Sequence, residues 1–204
     1  TDPVVALESS GYVRVAAGSA CLLCDCAPIG PDYLPAHAHA DTLSFELSIG
    51  GQRVFVNSGT SQYGEDTERQ RQRGTAAHNT VVVDGVDSSE VWAGFRVARR
   101  ARARLTLAAP VVPYVVTGSH DGYRRLPGRN EHSRRWTLDP QSLRIDDRIT
   151  GKFESAAAYF HLHPDIEAYA VDAREIALAW ADGGSARMTF DGAGAVSVIG
   201  GTWH

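Results

Sequence analysis

The sequence has no segment near the ~18 consecutive apolar residues that a membrane-spanning helix needs, so no membrane partner is expected. It has no excess of positive charge: 20 Lys and Arg stand against 24 Asp and Glu, a net charge of −4. That balance argues against a nucleic-acid partner, whose phosphates call for a basic surface. Lysine is almost missing, since Lys152 is the one lysine among the 20 basic residues. The rest are arginines, whose planar donors suit carboxylates and sulfates. Methionine occurs only at Met188, and the sequence opens at Thr1 without a basic-apolar-small leader. It is therefore read as a piece cut from a longer protein. Cysteine is confined to Cys21, Cys24 and Cys26, on one apolar run. An odd, clustered set makes no disulfide framework, and there is no second pair to complete a metal site, so buried free thiols are expected.

What is present is a chain of 204 residues, 43% hydrophobic and 22% charged, too apolar for a disordered tail. At this length about 70% of the unfolded surface is buried on folding. Turn signals recur about every ten residues, and β-branched or alternating segments lie between them. Strands are expected at Tyr12–Ala17, Ala20–Cys26, Thr42–Ile49, Gln52–Asn57 and Thr80–Asp84. Others are expected at Val97–Leu107, Val112–Thr117, Ser133–Leu138, Leu143–Ile149, Ala156–His163, Ile176–Ala181, Arg187–Phe190 and Ala195–Ile199. Gly50-Gly51 reads as a two-residue hairpin turn. No window carries a helical stripe. Glu65–Arg73 is polar on all sides and is read as a loop or short surface helix. The expected fold is all-β: an antiparallel sandwich of two packed sheets with few or no helices, in one domain over residues 1–204.

Two charged segments read as solvent-facing. In Arg100-Ala101-Arg102-Ala103-Arg104 the arginines would share one strand face, a solvated outer face rather than a strip for an acidic polymer. Glu65, Asp66 and Glu68 beside Arg69, Arg71 and Arg73 read as an exposed loop of mixed sign.

Chemistry is most concentrated in His37-Ala38-His39-Ala40-Asp41. Histidines two apart on an extended segment project from one side and can reach one ion or one substrate. The following hairpin returns Asn57-Ser58-Gly59-Thr60 beside them, and His78-Asn79-Thr80 opens another strand. Three histidines and an oxygen donor at strand ends suit a borderline divalent cation such as zinc. The second HxH, His161-Leu162-His163, reads as a strand with two satisfied histidines, and His120-Asp121-Gly122-Tyr123 as a turn. Gly192-Ala193-Gly194 lacks the third glycine of a dinucleotide fingerprint, and no Gly-x-Ser-x-Gly elbow is present. A cupin-like metal enzyme fits poorly, because Glu46 lies seven residues after His39 and Gly50 only four later. A non-catalytic carbohydrate-binding or structural sandwich is the main alternative; it predicts that the His37–Asp41, Asn57–Thr60 and His78–Thr80 segments do not converge.

The ordered segments HAHADTLSFELSIGGQRVFVNSGTSQYG, RGTAAHNTVVVDG, HDGYRRLPG and YFHLHPD resemble the C-terminal β-sandwich of heparinase II/III-like proteins, from about Gly18 to Asp165. The resemblance implies a supersandwich-like fold that follows an N-terminal α/α toroid, with the active site between them. It implies part of a polysaccharide lyase that cleaves uronate polymers, heparan sulfate-like or alginate-like, by β-elimination, and an isolated domain without activity. On the family pattern His37 and Tyr63 take catalytic positions, while His39, Asn57 and His78 take metal-ligand positions, with Asp41 behind them. Asn57 stands where metal-binding members carry Asp; its neutral oxygen removes a charge that favours a dication, which weakens the case for zinc. The implied partners are an acidic polysaccharide and the toroid, with a homodimer compatible; the implied compartment is the periplasm or cell surface.

Overall fold

In a computed structural model, which describes residues 2–7 and 9–201, strands make up 41% of the described residues and helices 7%. The chain forms two compact units, Thr1–His161 and Leu162–His204. The first opens with β1 (Val4–Leu7), β2 (Tyr12–Ala17), β3 (Ala20–Asp25), β4 (Phe45–Ile49) and β5 (Gln52–Phe55), paired antiparallel in chain order. The period-2 pattern makes this sheet one-sided: β2 buries Val13, Val15 and Ala17 and β3 buries Leu22 and Cys24. Gly50 and Gly51 close the β4–β5 hairpin at φ of 60° and 88°, a left-handed pair that suits glycine.

After a short helix α1 (Thr67–Arg73) come β6 (Val81–Val83), β7 (Glu90–Trp92) and β8 (Arg96–Ala98). The second large sheet holds β9 (Ala103–Ala109), β10 (Tyr114–His120), β11 (Glu131–Leu138) and β12 (Leu143–Thr150), with order β12-β11-β10-β9. It packs on the first. A Cβ added at Gly118 of β10 would lie only 2.7 Å from Cys26 Sγ and from Leu43 Cδ2. β13 (Ala156–Ala158) pairs with β6, and β7 with β8. The second unit is a meander of β14 (Glu167–Ala170), β15 (Glu175–Ala179) and β16 (Ser185–Thr189), with Ile176 and Leu178 buried.

The inward face of β11 carries His132, Arg134, Trp136 and Leu138, so half of what this strand buries is polar. The polar groups satisfy one another. Gly122 N donates to His120 Nδ1 (3.2 Å), which leaves His120 Nε2 to donate to His132 Nδ1 (3.1 Å). His132 Nε2 then donates to Asp147 Oδ1 at 2.7 Å, while Arg134 grips the same carboxylate at 2.7 and 2.8 Å. Arg134 also donates to the carbonyls of Leu43 (2.9 Å) and Asn79. Such a network is stable only because nearly every buried donor and acceptor in it is used.

Several expectations need correction. Glu65–Arg73 does carry a short helix, α1, but it is not solvated on all sides: it is capped by Asp66, which accepts from Arg69 N at 2.7 Å, and it buries Arg69, Gln72 and Arg73 while Arg71 stays exposed. Positions 69 and 73 lie one turn apart, so one polar face turns inward because its partners are backbone carbonyls. The strand expected at Val97–Leu107 breaks at Arg99 (φ 37°) and resumes at Ala103. Arg100 therefore leaves the common face and donates to Ile29 O (3.1 Å) and Asp32 Oδ1 (2.6 Å), whereas Arg102 and Arg104 are exposed. Cys24 and Cys26 are buried free thiols, but Cys21 is exposed. Ala195–Ile199 forms no strand, and only Ala156–Ala158 of the segment reaching His163 does. The short strands β1, β7 and β14 had no clear sequence signal.

Candidate active site

Three segments meet on one side of the sandwich: the HAHAD run before β4, the stretch after β5, and α1 with the turn into β6. Each is fixed by a buried polar residue. Arg73 donates to Ala38 O (3.2 Å), Ala93 O (2.9 Å) and Arg96 O (3.0 Å), which ties the HAHAD run to the β7–β8 turn. Asn79 donates to Phe45 O (2.7 Å) and Val56 O (3.1 Å) and accepts from His161 N at 2.5 Å. Thr80 Oγ1 donates to Thr42 O at 2.8 Å. The His-Asn-Thr motif thus places one imidazole and uses its next two residues as clamps.

His78 is fully buried, and its Nδ1 donates to Asn57 Oδ1 at 2.6 Å. Its Nε2 is buried with no hydrogen-bond partner. Burial, then the nearby His39 and His161, hold its pKa well below the ordinary value. His39 lies beside it, with ring centroids 5.2 Å apart. Arg69 Nη1, which can only donate, is 3.2 Å from His39 Nε2 and 3.0 Å from Thr60 Oγ1. Thr60 Oγ1 is itself 3.1 Å from His39 Nε2. The ring must therefore keep its lone pair on Nε2 and its proton on Nδ1. Burial first, then the charges of Arg69 and Arg73, lower the His39 pKa to about 4.

His37 lies nearer solvent. Its ring meets Tyr63 edge-on at 5.6 Å and Phe95 at 5.5 Å, while Tyr63 and Phe95 stack at 6.4 Å. The Tyr63 ring, 60% exposed, lies over the buried guanidinium of Arg69, with Cζ 5.5 Å from its centroid. Beside this cluster a pocket of about 310 Å³ is lined by His37, His39, Asn57, Tyr12, Asp25 and Asp41 among others. Burial pushes Asp41 up to about 6; burial and then the Asp41 charge push Asp25 well above the carboxylate range. Asp41, placed by the resemblance behind the metal ligands, lines this pocket beside His39.

The residues at the implied metal position do not fit zinc. His39 Nε2 is engaged by a guanidinium and a hydroxyl, and the third position is a neutral amide that already accepts from His78 Nδ1, so of the three implied ligands only His78 offers an unengaged nitrogen, Nε2, too few for a zinc site. Among the described residues no group of three His, Cys, Asp or Glu is arranged to hold a metal ion.

The His37–Asp41, Asn57–Thr60 and His78–Thr80 segments converge, which a purely structural sandwich would not require. The sequence matches the family model described as heparinase II/III-like, C-terminal, over residues 1–204. The chain belongs to that family. No curated protein matches it. Among solved structures it is similar to a heparan sulfate lyase HepC mutant from Pedobacter heparinus, with a TM-score of 0.72 at 18% identity over 93% of this chain and 29% of that one. It is similar to a heparinase III at 0.71 and 16%, over 91% of this chain and 28% of that one. A further heparinase III, the BT4657 gene product, gives 0.69 and 18%, over 90% and 28%. The likeness establishes the fold, and the chain spans under a third of those proteins' length.

Arg69, Thr60, Arg73, Asn79 and Phe95 were not read as site residues from the sequence. The available signal was the four-residue spacing of Arg69 and Arg73 just before the His-Asn-Thr motif, which places both guanidiniums on one helix face.

Proposed function

We propose that this chain is the C-terminal sandwich of a polysaccharide lyase and supplies one wall of an active site for β-elimination on a uronate-containing polymer, heparan sulfate-like in the first instance. The supporting observation is the His37–Tyr63 pair at the solvent-facing rim, backed by the guanidinium of Arg69. In β-elimination a base takes the proton beside the uronate carboxylate. The electron pair forms the C=C bond, the C–O bond to the leaving sugar breaks, and an acid protonates the departing oxygen. An imidazole and a phenol in edge contact are suited to those two proton transfers. The groups that neutralise the substrate carboxylate would come in part from an N-terminal toroid, consistent with the family pattern.

The pocket beside the pair fits this reading. Asp25, pushed well above the carboxylate range by burial and the Asp41 charge, holds its proton and so offers a donor to a sugar hydroxyl without adding negative charge against an anionic chain. The test is the ultraviolet absorbance of unsaturated product, followed in the intact protein with heparan sulfate, heparin and alginate. His37→Ala should reduce kcat by about 100-fold or more, and residues 1–204 alone should be inactive. Wild-type turnover in His37→Ala would remove His37 from the chemistry, and turnover by residues 1–204 alone at the intact rate would overturn the two-wall site.

A further inference from the structure

We infer that the guanidinium of Arg69 is the resident cation of this site, holding the lone pair of His39 that a divalent metal would need, so that the site works without a metal ion. The functional consequence rests on the lyase reading; the binding consequence does not.

Arg69 is 1% exposed, and no carboxylate pairs with it among the described residues. A buried, uncompensated cation is costly to keep, so its retention calls for a reason. Its donors go to the site. Nη1 reaches His39 Nε2 and Thr60 Oγ1, Nε reaches Gly94 O at 3.4 Å, and Nη2 is buried without a partner. A metal ion on His39 Nε2 would lie about 2 Å from that nitrogen, and therefore within about 5 Å of Nη1. A dication so close to a fixed guanidinium in a desolvated site is strongly disfavoured.

Asn57 belongs to the same arrangement. A carboxylate at that position would balance a dication, whereas with Arg69 supplying the charge a neutral amide suffices to accept the His78 Nδ1 proton. Two neutral imidazoles, one amide and one guanidinium form a consistent set with a single positive charge. Arg69 is thus a positioning residue: it fixes which nitrogen of His39 carries the proton and lies as a cation beneath the Tyr63 ring.

The test is zinc chloride titration by calorimetry, with elemental analysis, on the intact protein. Wild type should bind no zinc that His39→Ala removes, and its turnover should be unaffected by EDTA. The double variant Arg69→Met with Asn57→Asp should gain at least about tenfold in zinc affinity, and His39→Ala in that background should abolish the gain. The His39→Ala control separates this site from zinc captured by the cysteines. Arg69→Lys, which keeps the charge, shows whether a folded protein still excludes zinc when the guanidinium is gone, and near-ultraviolet circular dichroism reports the fold of each variant. One zinc per wild-type chain, lost in His39→Ala, would overturn the inference, as would a folded double variant with no gain. If the intact protein turns over no uronate polymer, the lyase reading fails while the titration still decides the role of Arg69.

Discussion

Arg134→Met tests how the fold holds the site. Arg134 is fully buried between the two large sheets, with its Cζ 5.8 Å from the Phe45 ring and 5.9 Å from that of Trp136. Met keeps much of the volume and removes every donor. The substitution leaves Asp147 without its two-point partner and strips a donor from the Leu43 and Asn79 carbonyls. Breaking a buried ion pair from one side costs about 3–5 kcal/mol, and an orphaned buried acceptor about 1–3 kcal/mol. Because the terms share one side chain they overlap, and a total of about 4 kcal/mol is expected. With a urea slope of about 2 kcal/mol/M, the unfolding midpoint should fall by about 2 M. Tryptophan fluorescence is a suitable probe, since Trp136 is fully buried beside the change. Adding Asp147→Leu should recover part of the loss by removing the stranded charge. A loss below about 1 kcal/mol, far under the cost of breaking a buried pair, or a double variant no better than the single one, would refute the reasoning.

The same network makes the fold acid-sensitive. Burial, above all, holds His120 and His132 below their ordinary pKa. The unfolded chain therefore takes up protons first as pH falls, and their contribution, complete above about 6.5, is lost below it. Burial alone would raise Asp147, but the charge of Arg134 and the hydrogen bonds from His132 and Arg134 outweigh it and hold the carboxyl well below the usual range. Its share is lost at lower pH, below about 3.9, so the urea midpoint should hold between pH 7.5 and about 6.5 and fall from there to pH 4, and a flat profile would contradict the neutral-histidine assignment. Tyr63→Phe in the intact protein should lower kcat by about 100-fold or more with the urea midpoint unchanged, because the phenol is exposed; equal turnover would leave Tyr63 with a packing role only. Gly128→Ala should destabilise by several times the effect of a surface change, since a Cβ there would lie 1.7 Å from Lys152 O, a backbone atom; a midpoint within error of wild type would mean that the loop moves freely. Replacing exposed Arg102 and Arg104 by Ala should leave both stability and polymer affinity unchanged, and lost affinity would show that they belong to a substrate track.

Local patterning in the sequence was enough to determine the all-β class, most strand centres and the Gly50-Gly51 hairpin. Alternation and turn chemistry act over a few residues, so β2 was read with its observed ends. Local pattern also brought out the histidine segments, because residue types and two-residue spacing carry their own geometry. Tertiary structure decided which polar residues lie inside. Arg69 and Arg73 have the composition of a solvated surface, and it is carbonyls of residues 38, 93, 94 and 96 together with the His39 ring and the Thr60 hydroxyl, brought in by other segments, that make burying them tolerable. The inward His132 and Arg134 likewise depend on Asp147, fifteen and thirteen residues away on the neighbouring strand. Whether His39 faces a metal ion or a guanidinium was not legible in its own motif, because the deciding group sits thirty residues later on a helix too polar to announce a buried face.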